Sequence, residues 1–280
     1  MISDLHTHTN ASDSNLSRSQ LLYLAGLLGL DRIAITDHDT MYNSYRTADD
    51  LIEVITGCEL STVDGKTGRH VHLLCFEPTD RSGLERYFAR MRYQRIQAGD
   101  LMVERANRLY PVVTADNVAP YRTPEGILFK QGIMSVLCEY GYARERLGEM
   151  YKQLFSSETG SCVVPIDYGD AVETAKMAKE SGATVILAHP SVYHNVPIAF
   201  QLAKMGLIDG IEIEHPRNTD KDRDTLSRLC KKSGLLMTGG SDYHGSNNSL
   251  GMQMGKYLTD DETCTKIMLY SLRKQRSFET

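Results

Sequence analysis

Three things are scarce or missing in this chain of 280 residues, and each narrows what it can be. No apolar run approaches the roughly 18 residues that a membrane-spanning helix needs, and no basic-then-apolar leader opens the chain. MISDLH reads directly as a strand. The 6 cysteines (Cys58, Cys75, Cys138, Cys162, Cys230 and Cys264) include no C-x-x-C pair. In a chain this long, that argues against a disulfide framework or a zinc ribbon and for buried free thiols in a reducing cytoplasm. Nor is there an excess of basic charge. With 31 Lys and Arg against 36 Asp and Glu, the net charge of −5 gives no general attraction to anionic membrane or nucleic acid. Neither a membrane association nor a stable nucleic-acid complex is therefore expected, although a local basic pocket remains compatible. Repeats, heptads and low-complexity segments are also absent. What is present is ordinary globular composition, 41% hydrophobic and 24% charged, enough to bury a sizeable core.

Short runs rich in β-branched residues predict strands at Ile2–His6, Arg32–Thr36, Glu53–Thr56, His70–Phe76, Thr184–Ala188, Asp209–Glu214 and Leu235–Thr238. Amphipathic stretches with start and stop signals lie between most of them. Ser17 caps Gln20–Leu28 before Gly29, and Asp170–Ser181 stops at Gly182. Pro197–Lys204, Asp222–Lys232 and Asp260–Arg273 complete the series. Alternating strands and helices predict parallel βα units, and runs such as VILA and IAI look buried on both faces. From about Asp80 to Pro165 the rhythm fails: there is helical pattern but no convincing strand. The expectation is a helical insertion, residues 80–165, within a barrel built from 1–79 and 166–280. At the C-terminal face of such a barrel the insertion would lie over the active site.

The opening DLHTHTNASD places His6, His8 and Asp13 at the end of the first strand, with both imidazoles on one side of it. Asp37, His38 and Asp39 follow the second strand in ITDHD, and Glu59 follows the third in GCEL. The fourth carries His70 and His72, while His189, His215, Asp242 and His244 come just after the last three. All but His70 and His72 therefore gather at one end of the strands, where sites in α/β folds assemble. Imidazole nitrogen with carboxylate oxygen suits Zn²⁺, Mn²⁺ or Fe²⁺. The ligands exceed what one ion needs, so two or three ions sharing carboxylates are expected. His194 reads as a lone loop histidine.

These motifs, in this order together with VHLLCF, LAHP and GSDYHG, resemble the PHP (polymerase and histidinol phosphatase) phosphoesterases over residues 1–76 and 184–251. The resemblance implies a distorted seven-stranded (β/α)7 barrel and two or three divalent ions, Mn²⁺, Fe²⁺ or Zn²⁺. It implies the ligands His6, His8, Asp13, His38, Glu59, His72, His189, Asp242 and His244, with no position missing. Hydroxide held between two ions would attack phosphorus in line, so no side-chain nucleophile is required. Asp13, Glu59 and Asp242 would offset the cation charge, and His215 would stabilise or protonate the leaving oxygen.

The chain resembles most the stand-alone members that act on AMP, nucleoside 3′,5′-bisphosphates, RNA 5′ ends or cyclic ribose phosphates. Many nucleotide-cleaving members carry an Arg-x-His motif in the insertion; here Lys130 and Gln131 stand in that region. That departure favours 5-phosphoribosyl 1,2-cyclic phosphate or a similar small phosphorylated sugar over a nucleotide. Arg217, Lys130 and His70 are the candidate substrate contacts, because arginine in particular grips phosphate in a bidentate fashion. Two other classes stay open at this point. Amidohydrolase barrels also begin with HxH, but normally want a strand-four lysine and eight strands. A non-catalytic protein that uses metals to hold a phosphate ligand would be separated by measuring phosphate release.

Overall fold

The computed structural model describes residues 1–156, 159–248 and 253–278. Its strands are β1 (Ser3–Thr7), β2 (Arg32–Ile35), β3 (Glu53–Val63), β4 (His70–Phe76), β5 (Gly169–Asp170), β6 (Thr184–Ala188), β7 (Gly210–Glu214) and β8 (Leu236–Gly239). They pair in the order β1-β2-β3-β4-β6-β7-β8, with the two-residue β5 added to the far end of β3. Asp242 N–H donates to His6 O at 2.9 Å, and Thr7 bridges Tyr243, so the path nearly closes on itself. The expected seven-stranded α/β barrel is present.

Two details differ from the sequence expectation. β4 runs antiparallel to both β3 and β6, not parallel. Only residues 64–69 separate β3 from β4, room for a hairpin but not for the dozen or more residues of a parallel crossover. β3 also continues well beyond Thr56, because its second half is held by β4. Gly57 does not end it: a Cβ there would lie 3.0 Å from Cys75 O and Phe76 Cδ1, so the residue is a close-approach glycine inside the strand. Glu59 consequently sits within β3 and not past its end.

The helices α1 (Arg18–Leu27), α6 (Ala171–Glu180), α7 (Val196–Lys204), α8 (Asp220–Ser233) and α9 (Asp261–Phe278) match the predicted segments to within a few residues at their ends. Ser17 forms a full capping box on α1 and Thr219 caps α8, which ends on left-handed Gly234. One core layer packs the outer strand faces (Leu60, Leu73, Val185, Leu187, Ile211) against α6, α7 and α8. Inside the barrel, Leu5, Ala34, Ile55, Leu74, Phe76 and Ile186 fill one end, with Ile267 of α9. Farther along the same faces, the period-two alternation places Glu59 on β3, His72 on β4 and Glu212 on β7.

Residues 82–155 hold α2 (Ser82–Leu109), α3 (Ala115–Val118), α4 (Lys130–Glu139) and α5 (Glu149–Phe155). Val113, Leu128, Ile133, Met134, Leu137, Leu154 and Phe155 give these helices a core of their own. They touch the loops at the ligand-bearing end through Arg95 on Asp39 and through Glu125, which accepts from Thr40 Oγ1 at 2.7 Å. The six cysteines are free, and no helix among the described residues is long and apolar enough to cross a membrane.

Candidate metal centre

Antiparallel β4 explains why His72, near the start of its strand, reaches the end where the other strands finish. It pairs with Ala188, the last residue of β6, so His189 follows directly beside it. His189 and Asp242 both adopt positive φ (24° and 54°), conformations uncommon for non-glycine residues and frequent at functional sites. Gly240 is needed for a different reason. A Cβ there would stand 2.2 Å from His6 Cβ and 2.8 Å from Glu212 Oε1.

The nine residues marked as ligands come together. One group joins His6, His8, Glu59 and Asp242; a second joins His8, Asp13, His38 and His244; a third joins His38, Glu59 and His72; a fourth joins His6 and His189 with Glu212. Within each, the donor atoms all lie within 4.8 Å of one another. Glu59 is the hub. Its Oε1 stands 2.7 Å from His72 Nδ1 and 2.9 Å from His189 Nε2. Its Oε2 lies 3.1 Å from His38 Nδ1, 3.3 Å from His6 Nε2 and 3.4 Å from His8 Nε2.

His6 Nε2, His8 Nε2, His38 Nδ1, His189 Nδ1, Asp13 Oδ1 and Glu59 Oε2 are buried and make no hydrogen bond. Buried polar atoms left without partners are costly, and here His6 Nε2, His8 Nε2 and His38 Nδ1 all face Glu59 Oε2. Several rings are held at the opposite nitrogen. His6 Nδ1 meets Glu212 Oε1 at 2.9 Å, and His244 Nδ1 donates to Asp242 O at 2.7 Å, each leaving Nε2 directed inward. This donor set of imidazole nitrogens and carboxylate oxygens fits divalent cations.

The charges agree. Burial opposes ionisation of Glu59 and Asp242, yet the surrounding histidines hold both carboxyls well below the usual range. Burial likewise opposes charging His244, but Asp13 and Asp242 push its pKa up to about 10. Burial wins at His38, pushed down to about 3, and at His70, pushed down to about 4.

His70 belongs to none of these groups; its ring packs against Tyr168 and Tyr193 at 5.1 and 5.2 Å. His215 is buried, with Nε2 3.4 Å from Asp242 Oδ2. Arg217 is exposed at the rim. Lys130 opens α4 with its ammonium on Phe155 O at 3.3 Å. His194 lies apart in a turn, its carbonyl accepting from Arg69 at 2.6 Å.

Sequence reasoning missed Glu212. It is fully buried, touches His6 and accepts from His189 N–H at 2.9 Å. An acid alternating with isoleucine in IEIEHP was the available signal. Asp37 was noted beside His38 without a role; it organises the opening loop by accepting from Thr9 N–H, Thr9 Oγ1 and Ser12 Oγ at 2.5–2.7 Å.

Residues 4–122 match the PHP domain. The chain is 33% identical over 263 residues to phosphoribosyl 1,2-cyclic phosphate 1,2-diphosphodiesterase of Eggerthella lenta, covering 88% of this chain and 95% of that one. The chain belongs to the PHP family. Another relative, the 5′-3′ exoribonuclease Rnm of Escherichia coli, is 26% identical, with 87% of this chain and 85% of that one covered. A crystal structure from Bifidobacterium adolescentis, assigned as a metal-dependent phosphoesterase, superposes with a TM-score of 0.84 at 27% identity over 96% of both chains. An amidohydrolase from Chromobacterium violaceum shares the PHP-like fold, with a TM-score of 0.78 at 18% identity over 96% of both chains. Like its phosphoesterase relatives, this PHP protein is a hydrolase of phosphoric ester bonds.

Proposed function

We propose that the chain hydrolyses 5-phosphoribosyl 1,2-cyclic phosphate, or a closely similar phosphorylated sugar, to ribose 5-phosphate and phosphate. The 33% identity to a diphosphodiesterase of that substrate, spanning nearly all of both chains, carries the reading. Two or three ions, Mn²⁺, Fe²⁺ or Zn²⁺, would be held by His6, His8, Asp13, His38, Glu59, His72, His189, Asp242 and His244, in a protein of the cytoplasm. Such ions activate water near neutral pH and clamp a phosphoryl group.

The chain's own residues supply the rest. Asp13, Glu59 and Asp242 would supply the carboxylates that offset the cation charge. His215 is placed as a hydrogen-bond donor and not as a ligand: its Nδ1 accepts the Arg217 N–H at 3.1 Å, which leaves the ring proton on Nε2 at the site. From there the neutral ring stabilises the sugar oxygen released when the cyclic ester opens by a hydrogen bond, and water supplies the proton that oxygen takes up. The guanidinium of Arg217 makes no hydrogen bond or ion pair among the described residues and is free to hold the distal 5-phosphate. Lys130, whose Nζ donates to the Phe155 carbonyl oxygen, and His70, beside Tyr168 and Tyr193, line the sugar side. Residues 80–165 act as the cover that keeps bulk water out, set on a barrel of residues 1–79 and 166–280.

The test compares kcat/KM for 5-phosphoribosyl 1,2-cyclic phosphate, AMP and adenosine 3′,5′-bisphosphate, since specificity lies in that ratio. The sugar phosphate should lead. A nucleotide preferred by about tenfold, roughly 1.4 kcal/mol of transition-state binding, would replace the reading with that of a nucleotidase. Arg217→Ala should raise KM for the 5-phosphorylated sugar and spare a generic aryl phosphate; equal losses on both would remove Arg217 as the distal anchor.

A further inference from the structure

Gln131 is unused by the scheme above, yet its side chain reaches the ligand cluster. From the first turn of α4, Gln131 Nε2 donates to Asp13 Oδ2 at 3.1 Å. The other oxygen, Oδ1, is buried without a hydrogen bond, 3.0 Å from His244 Nε2 and 3.9 Å from His38 Nε2. Asp13 lies in the loop after β1, where neither strand pairing nor helix geometry fixes a side chain. Its carbonyl is tied separately: Asn247 Nδ2 donates to it at 2.7 Å, and Arg146, just ahead of α5, donates to Asn247 Oδ1 at 2.5 Å. The helical segment therefore grips Asp13 at its carboxylate and, through Asn247, at its backbone.

We propose that Gln131 is a positioning residue for the ion held by His8, Asp13, His38 and His244, an inference that rests on the metal-dependent reading above. By occupying Oδ2, it confines Asp13 to binding through Oδ1 and aims that atom at the two histidines. A free carboxylate could rotate and offer either oxygen, or both. The carboxamide does not titrate, so its donor persists at every pH at which the enzyme folds. A histidine in its place would lose that constancy near neutral pH. His8 and His38 are shared with the Glu59-centred groups, but Asp13 belongs to this group and to none of the others, so the grip acts on the ion that this group would hold.

Metal-stripped wild type, Gln131→Met, Asp13→Asn and the double variant are titrated with Mn²⁺, reading stoichiometry and affinity by calorimetry. Methionine keeps the length of glutamine and lacks the donor. Gln131→Met should weaken one class of site by about 10- to 100-fold, the range typical of lost partners to ligands, and leave the others unchanged. In the Asp13→Asn background it should add almost nothing. Phosphate-release time courses give a second readout, in which the opening of the cyclic ester and the later release of phosphate should be slowed unequally. A wild-type isotherm for Gln131→Met with only a raised KM would overturn the inference and make Gln131 a substrate contact. Additive losses in the double variant would overturn it equally. Wild-type protein that binds no Mn²⁺ at all would instead refute the metal-dependent reading itself, and this inference with it.

Discussion

Replacing Arg95 of α2 by methionine tests how the helical segment is fastened to the barrel. Arg95 Nε and Nη2 donate to Asp39 Oδ2 at 3.1 and 2.6 Å, and Nη2 also reaches Ser61 Oγ at 2.9 Å. Asp39 uses its other oxygen to accept Ser61 N–H at 2.8 Å. The two side chains are only 9% and 1% exposed, so water cannot take the place of the guanidinium. Breaking a buried pair by removing one partner costs about 3–5 kcal/mol, because the other charge is left uncompensated. For a chain of this size, at about 2 °C per kcal/mol, that is a fall in Tm of roughly 6–10 °C. Thermal and urea denaturation followed by circular dichroism read it directly. The double variant Arg95→Met, Asp39→Asn removes both charges, and asparagine tolerates the positive φ of 55° at that position. It should recover most of the loss. A cost below about 1 kcal/mol for Arg95→Met, the value of a solvent-exposed pair, would refute the reasoning.

Other expectations follow from the same geometry. Gly240→Ala puts a methyl group against His6 and Glu212, so it should lower bound metal while leaving the circular dichroism spectrum native; full metal content would show that the loop yields freely. His244 must release a proton to ligate through Nε2, and Asp13 and Asp242 hold that proton up to a pKa of about 10. Raising the pH removes this competitor, so apparent metal affinity should climb from pH 6 to pH 9, by as much as tenfold per unit for one displaced proton. A flat calorimetric profile across that window would contradict it. Lys130→Ala should retain its metals and change substrate preference; losing metals would put Lys130 among the supports of the ligand shell.

Much of this architecture is written in local pattern. Short β-branched runs mark every strand of the barrel path, and capping signals at Ser17 and glycine stops such as Gly234 mark the helices. The histidines and acids were legible because they cluster at strand ends, whatever the strands do in three dimensions. Strand direction was not legible in that way. Alternation with helices suggested parallel pairing throughout, but the six-residue connection 64–69 decides β4, and its reversal is what brings His72 to the same end as His189. Glu59 was misplaced by a glycine that reads as a stop and serves as a close approach. Glu212, the Arg95–Asp39 pair and the Gln131–Asp13 contact join residues far apart in the chain, and no periodicity records them.

The most direct test of the central claim follows phosphate release while metal-stripped protein is titrated with Mn²⁺, alongside a Glu59→Gln variant. Glu59 meets His6, His8, His38, His72 and His189, so it is the carboxylate through which neighbouring ions would be joined. The account predicts no turnover in the stripped enzyme and recovery only after more than one equivalent of Mn²⁺ has bound. It also predicts less bound metal and no recovery in Glu59→Gln. Full activity in the presence of a chelator, or in Glu59→Gln, would contradict it.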